Sequence, residues 1–172
     1  MSEQIMSEQT QEPIDKSKWA DGPWKTEPDR LEWKHLGFPC LIVRVRTHGA
    51  LCGYVAVPPG HLWHGQDMDD IQARVHGGLT YADSCSGNVC HVPAPGEPDD
   101  VHWVGFDNAH GGDFCPGDKL NHCKSVAFPS PFSYDDGSFS DRGTYRDINY
   151  VKEQVESLAQ QAKDAPARGV SS

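Results

Sequence analysis

The sequence predicts an α+β fold: a small, mainly antiparallel sheet with long functional loops and a C-terminal amphipathic helix packed on it. Three observations predict it. Two β-rich runs lie side by side across a short glycine-containing turn. The last patterned stretch repeats apolar residues at helical spacing. The segments between are dense in Gly, Pro, Ser and Asp.

Phe38 to Thr47 (FPCLIVRVRT) reads as a strand because it is rich in β-branched residues and alternates Val43 and Val45 with Arg44 and Arg46. That alternation puts both arginines on a solvated face, from which Arg44 could reach a phosphate. The turn Thr47-His48-Gly49-Ala50 leads into Leu51 to Val57 (LCGYVAV), the return strand of an antiparallel hairpin that Pro58-Pro59-Gly60 ends. Met68, Ile71 and Val75 recur at helical spacing and predict a short helix over Asp67–Arg74; a third short strand is expected over Gly78–Ala82. Residues 83–100 carry three Pro, two Gly and no periodicity, and form an excursion loop or flap. Val101 to Asp107 (VHWVGFD) is apolar on both faces, with Val101 and Trp103 opposite Val104 and Phe106. It is expected as a central strand under a covering helix. Asn108 to Arg142 reads as a long functional loop. Thr144, with Asp147 three residues on, then opens a helix over about Tyr145–Lys163. Its Ile148, Val151, Val155, Leu158, Ala159 and Ala162 make one apolar stripe.

The ends carry no such pattern. Residues 1–22 are polar and repeat MSEQ at Met1 and Met6, so a disordered leader is expected there. A disordered tail is expected at 164–172, and one α+β domain over 23–163. The formal charge of −10, from 15 Lys and Arg against 25 Asp and Glu, argues against gripping duplex nucleic acid through its phosphates. No apolar run approaches the roughly 18 residues of a bilayer span, and no basic segment followed by an apolar one opens the chain. Neither membrane insertion nor secretion is expected. The six Cys are accordingly expected as thiols of a reducing cytoplasm. A structural zinc held by Cys85, Cys90, Cys115 and Cys123, with His91 and His122 beside them, is the lesser alternative, because the spacings lack paired C-x2-C knuckles.

Two windows concentrate Gly with ionisable side chains. The first runs from Gly60-His61-Leu62-Trp63-His64-Gly65 to Val75-His76-Gly77-Gly78-Leu79-Thr80-Tyr81; the second is Trp103 to Asp113. Glycines beside histidines let backbone approach a ligand, and successive N–H groups cradle an anion. Asp107, His110 and Asp113 have the spacing D-x2-H-x2-D, with Asp107 at a strand's end, where a carboxylate can orient an imidazole and raise its basicity. His110, Asp107 and His76 are the candidate catalytic groups. His61, His64, Gly77, Gly78, Thr80, Tyr81, Trp103 and Asp113 are the candidate ligand-binding ones. The identity of any metal is left open: a divalent ion could sit on the same Asp and His residues, with His61, His64 or His76 completing the shell.

These blocks resemble a family of small, mostly uncharacterised proteins of tailed bacteriophages and prophages. The resemblance rests on Pro58-Pro59-Gly60-His61 with His64-Gly65, on Val75 to Tyr81, on Trp103-x-Gly105-Phe106-Asp107-x-Ala109-His110-x-x-Asp113, and on Tyr145-Arg146-Asp147-Ile148 with Tyr150-Val151-Lys152. Asn108 departs from it, since many relatives carry Cys there, and this argues against a metal or nucleophile role at that position. The resemblance implies phage origin and a host-cytoplasm setting, and by analogy an accessory protein that blunts host defence.

Three functions are compatible with these residues. The first is sequestration of a small polar, nucleotide-derived ligand, with Trp63, Tyr81 and Trp103 available to stack a base, although Trp63 and Trp103 read first as core residues. The second is a His/Asp-dependent, metal-assisted or metal-free phosphoester hydrolase. The third is an acidic inhibitor of a host protein, ranked last because the acidic residues are dispersed. An oligomer is compatible with each, and no symmetry is fixed.

Overall fold

The computed structural model of this chain describes residues 13–110, 112–117 and 144–165. Its strands are β1 (Arg30–His35), β2 (Phe38–Arg44), β3 (Leu51–Val57), β4 (Tyr81–Ser84) and β5 (His102–Phe106), followed by the helix α1 (Ile148–Asp164). They form one sheet in the order β1-β2-β3-β5-β4, with every neighbouring pair antiparallel. The α+β expectation of a small antiparallel sheet under a C-terminal helix holds.

The hairpin β2–β3 forms where β-branched residues predict it, although β2 stops at Arg44 rather than Thr47. Strand β1 was not foreseen. Its Arg-Leu-Glu-Trp-Lys-His alternates polar and apolar residues and turns into β2 through Leu36 and Gly37, both at positive φ (54° and 85°). That is the geometry whose twist suits a two-residue hairpin. Strand β4 lies a few residues past the expected Gly78–Ala82, and β5 sits next to the edge rather than at the centre, although buried on both faces.

The helix packs on one face of the sheet. Val151, Val155, Leu158, Ala159 and Ala162 meet Ile42, Val55, Val57, Val104 and Phe106. Gly53 makes the close approach possible: a Cβ there would stand 2.5 Å from Val155 Cγ2 and 2.7 Å from the Phe106 ring. Asp147 itself is the N-cap, its carboxylate accepting from Tyr150 N at 2.8 Å, so the helix starts three residues later than expected. It ends at Asp164, with Ala165 extended (ψ 139°) as expected for the residue before Pro166.

The other face carries Leu41, Val43, Ala56, Val101 and Trp103. It is covered in part by the 83–100 flap, whose Val89 packs against it and whose His91 ring stands edge-on to Trp103 at 5.2 Å. Arg30 ties the flap to β1 through the carbonyls of Asn88 and Cys90, and Lys34 ion-pairs with Glu97.

Three expectations are corrected. Cys85 and Cys90 are disulfide-bonded, because the Ser86–Val89 turn closes on itself and brings their Cα atoms to 4.7 Å. They are neither thiols nor zinc ligands, and Cys115 is disulfide-bonded too. Cys40 and Cys52 are thiols, and burial pushes both up to about 12. Second, Asp67–Arg74 is not a helix. The chain makes one turn at Asp67–Asp70 and then runs as a strap along α1. Gln161 accepts from Arg74 N and donates to Arg74 O, and Gln154 accepts from His76 N at 3.0 Å. Side-chain amides thus take the backbone groups that a helix would have paired internally.

Third, Arg44 is not solvated but fully buried. Its guanidinium donates to Asp29 at 2.7 Å, to Gly49 O at 2.8 Å and to the Tyr145 hydroxyl at 2.9 Å, with Glu27 at 3.5 Å. The described fold also begins before Gly22: Lys16 pairs with Asp29 at 2.6 Å, and the Trp19 ring lies over Gly49. The remainder of the expected leader and tail, the Cys123–His122 pair, and residues 111 and 118–142 of the expected long loop lie outside the described residues.

Candidate functional site

Asp113 is the hub of the polar cluster that the second Gly/His window builds. Strand β5 ends at Phe106, and the turn after it is anchored by Asn108, a buried side chain whose amide donates to Leu51 O. That placement agrees with a structural role for Asn108. The Asp107 carboxylate accepts from Ala109 N at 3.1 Å, and Asp113 N donates back to His110 O at 2.9 Å. Asp113 then bridges to Thr144, fixing the segment that leads into α1 beside the loop.

The Asp113 side chain is 1% exposed and has three donors. His76 Nε2 lies 2.9 and 2.8 Å from its two oxygens, Arg146 Nε donates at 3.0 Å, and His110 N donates at 3.0 Å. Burial pushes the carboxyl up, but these hydrogen bonds together outweigh it and hold it below its ordinary value. Asp113 is therefore an anion at neutral pH.

His76 reaches the hub from the strap. Its Nδ1 stands 2.8 Å from the Tyr150 hydroxyl, so both ring nitrogens are engaged and the imidazole is clamped between helix and carboxylate. Arg146 stacks over the Tyr150 ring at 4.9 Å. His110 differs. Its side chain is 31% exposed, and its Nδ1 faces Asp107 Oδ1 at 3.4 Å and Asp113 Oδ2 at 3.5 Å. Nδ1 is itself shielded from solvent, and neither contact is a formed hydrogen bond. The two histidine rings meet at 5.7 Å. Gly77 permits this: a Cβ there would stand 2.2–2.6 Å from the His110 ring, and its φ is +69°.

The structure therefore brings His76, Gly77, Asp107, His110 and Asp113 to one place, and one potential metal-ligating atom from each of His76, His110 and Asp113 lies within 4.8 Å of the others. Other candidates lie elsewhere. His61 Nε2 bonds Ala162 O at 2.7 Å, which is about 18 Å along the helix from Tyr150 at 1.5 Å per residue. His64 bonds Asp100 O beside His102, at the opposite end of β5 from Asp107. Trp103 is fully buried on the face away from α1, and Trp63 is core, so neither is a stacking platform. Tyr81 stands edge-on to Tyr54 on that same far face, while Thr80 N bonds Gly105 O and Gly78 shapes a turn back to Val75. His61 and His64 thus cannot complete a shell with Asp113.

Arg146, Tyr150 and Gln154 were missed. Their signal was an i, i+4, i+8 row from the lead-in through the first turns of α1, which places them on one flank beside the apolar stripe. Cavities of about 560 and 310 Å³ are lined by other residues, the first by Trp63, Gln66 and Gln161, the second by Trp33, His91 and Pro95. What the cluster offers chemically is a compact set of two imidazoles, two carboxylates and a guanidinium. Compared with known proteins, the chain matches no family model, no curated protein and no solved structure.

Proposed function

We propose that this chain hydrolyses a phosphoester bond in a small nucleotide-like molecule at the His76–His110–Asp113 cluster. One observation carries the reading: a buried carboxylate with three donors gathers two imidazoles, a second carboxylate and a guanidinium at one place. In this reading the corner between His110, Asp107 and Asp113 activates a water, whose oxygen adds to phosphorus as the ester P–O bond breaks. The half-buried Arg146 takes the phosphoryl charge, supplying the local cation that an acidic protein needs near a phosphate. His76, tied at both nitrogens, is a positioning residue. Hydrolysis is favoured over sequestration because Trp63 and Trp103 are core residues and leave neither ring free to stack a base. Phage origin belongs to the same proposal and rests on the resemblance of the Gly/His blocks; the disulfide-bonded Cys85, Cys90 and Cys115 weigh against the reducing host cytoplasm which that resemblance implies.

The test is a panel of cyclic and linear nucleotides incubated with full-length protein, with Mn²⁺, Mg²⁺ or Zn²⁺ supplied in turn. Wild type is expected to cleave at least one of them. His110→Ala is expected to lose turnover while its thermal midpoint stays close to that of wild type, since the ring is partly exposed and packs little core. Recovery of every nucleotide intact contradicts hydrolysis. Intact recovery of one that shifts the melting curve turns the reading to sequestration.

A further inference from the structure

We infer that His76, His110 and Asp113 form a divalent transition-metal site, with Asp107 beside His110 at its edge. The inference rests on the hydrolytic reading only for its consequence, a metal-activated water, and not for the binding itself.

The distances carry it. Zinc-class ions bind imidazole nitrogen and carboxylate oxygen at about 2.0–2.1 Å, so two ligands of a tetrahedron stand roughly 3.3–3.4 Å apart. His110 Nδ1 stands 3.4 Å from Asp107 Oδ1 and 3.5 Å from Asp113 Oδ2, too long for a good hydrogen bond and matched to that edge. The nitrogen is shielded from solvent and unpaired among the described residues, which is costly unless something smaller than a water fills the gap. An ion about 2 Å from His110 Nδ1 and Asp113 Oδ2 does so, with His76 in the same group of mutually close ligand atoms.

The surroundings fit such an ion. Two imidazoles select zinc-class metals over Ca²⁺ and Mg²⁺, which prefer all-oxygen shells. Arg146 and the His110 amide hold the Asp113 carboxylate from outside and fix its orientation. Tyr150 serves His76 in the same way. Its hydroxyl can donate to Nδ1 or accept from it, so Nε2 can give up its proton to become a ligand without losing the Tyr150 contact. The 2.8 Å contact between His76 Nε2 and Asp113 Oδ2 has to open by roughly 0.5 Å to reach the tetrahedral edge. Two carboxylates and one guanidinium leave the cluster negative. A divalent ion turns it positive, which is the sign that a phosphate needs.

The experiment is calorimetric titration of chelator-stripped full-length protein with Zn²⁺, comparing wild type with His110→Ala, Asp107→Asn and His64→Ala. One zinc per chain is expected in wild type and in His64→Ala. Affinity is expected to fall roughly 100-fold or more in His110→Ala, which loses a ligand, and by about 10-fold in Asp107→Asn, which loses an outer-shell partner. Cobalt is expected to give the visible absorption of a tetrahedral site in wild type and to lose it in His110→Ala. No binding by wild type, or binding unchanged in His110→Ala, overturns the inference. Turnover separates the two readings. Zinc bound without nucleotide cleavage sinks the hydrolase and leaves the metal site standing. Cleavage that survives metal removal while zinc still binds leaves the site standing and removes the metal-activated water from the reaction.

Discussion

Replacing Arg44 with Ala is expected to lower the free energy of unfolding by about 3–5 kcal/mol, the cost of removing one partner from a buried ion pair. The guanidinium is 0% exposed, and three chain segments converge on it: Asp29 and Glu27 before β1, Gly49 in the β2–β3 turn, and Tyr145 ahead of α1. Burial alone pulls its pKa down, but the Tyr145 and Asp29 contacts raise it further than burial lowers it, so it stays charged. Truncation leaves Glu27 without this cation, Asp29 with Lys16 alone and Gly49 O without the guanidinium donor. Glu27 also accepts from Tyr145 and from Ile148 N, so the anchor of the helix start weakens with it. Urea denaturation measures the change. A loss below about 1 kcal/mol would place the network among surface ion pairs of little worth.

Gly77→Ala is expected to damage the cluster far more than Gly78→Ala, although the two positions are adjacent and both have positive φ. At Gly78 (φ +86°) an added Cβ meets nothing within 4 Å, so only backbone strain of roughly 1–2 kcal/mol applies. At Gly77 similar strain is joined by overlap with the His110 ring at 2.2 Å. That ring is partly exposed and is displaced outward rather than held in place, so the fold survives and His110 leaves Asp107 and Asp113. Misplacing one reacting group by about 1 Å can cost on the order of 100-fold. Turnover and zinc affinity are therefore expected to fall by that order in Gly77→Ala and to change little in Gly78→Ala. Equal losses in the two variants, measured beside their thermal midpoints, would contradict the packing of His110 on Gly77.

What the sequence made legible followed from short-range pattern. Leu51–Val57 is a strand at the expected residues, and the apolar stripe of α1 is the buried one, because alternation and 3.6-residue spacing report a single element against a single core. What it concealed was long-range. Arg44 looked solvated because its neighbours alternate, whereas its partners lie 15 and 101 residues away. Met68, Ile71 and Val75 mimic a helix, yet Gln154 and Gln161 claim the adjoining backbone. Strand β1 was hidden by its charged outer face and by a Leu-Gly turn where Asn-Gly is the usual signal.

The candidate site divides in the same way. Glycine-flanked histidines and the D-x2-H-x2-D spacing pointed to His76, Asp107, His110 and Asp113, which the fold gathers. The same cue also drew in His61 and His64, which bond backbone carbonyls elsewhere. Arg146 and Tyr150 are marked only by their spacing on the helix flank, and the bridge from Asp113 to Thr144, with the His76 contacts to Tyr150 and Gln154, brings them to the hub.

Nuclear Overhauser spectroscopy on the full chain, with the histidine rings selectively labelled, tests the convergence of the two loops most directly. The account predicts a cross-peak between the His76 and His110 ring protons, with His76 also contacting Tyr150. A His76 ring that contacts Tyr150 but shows no peak to His110 would mean that the loops stay apart and that no shared site exists.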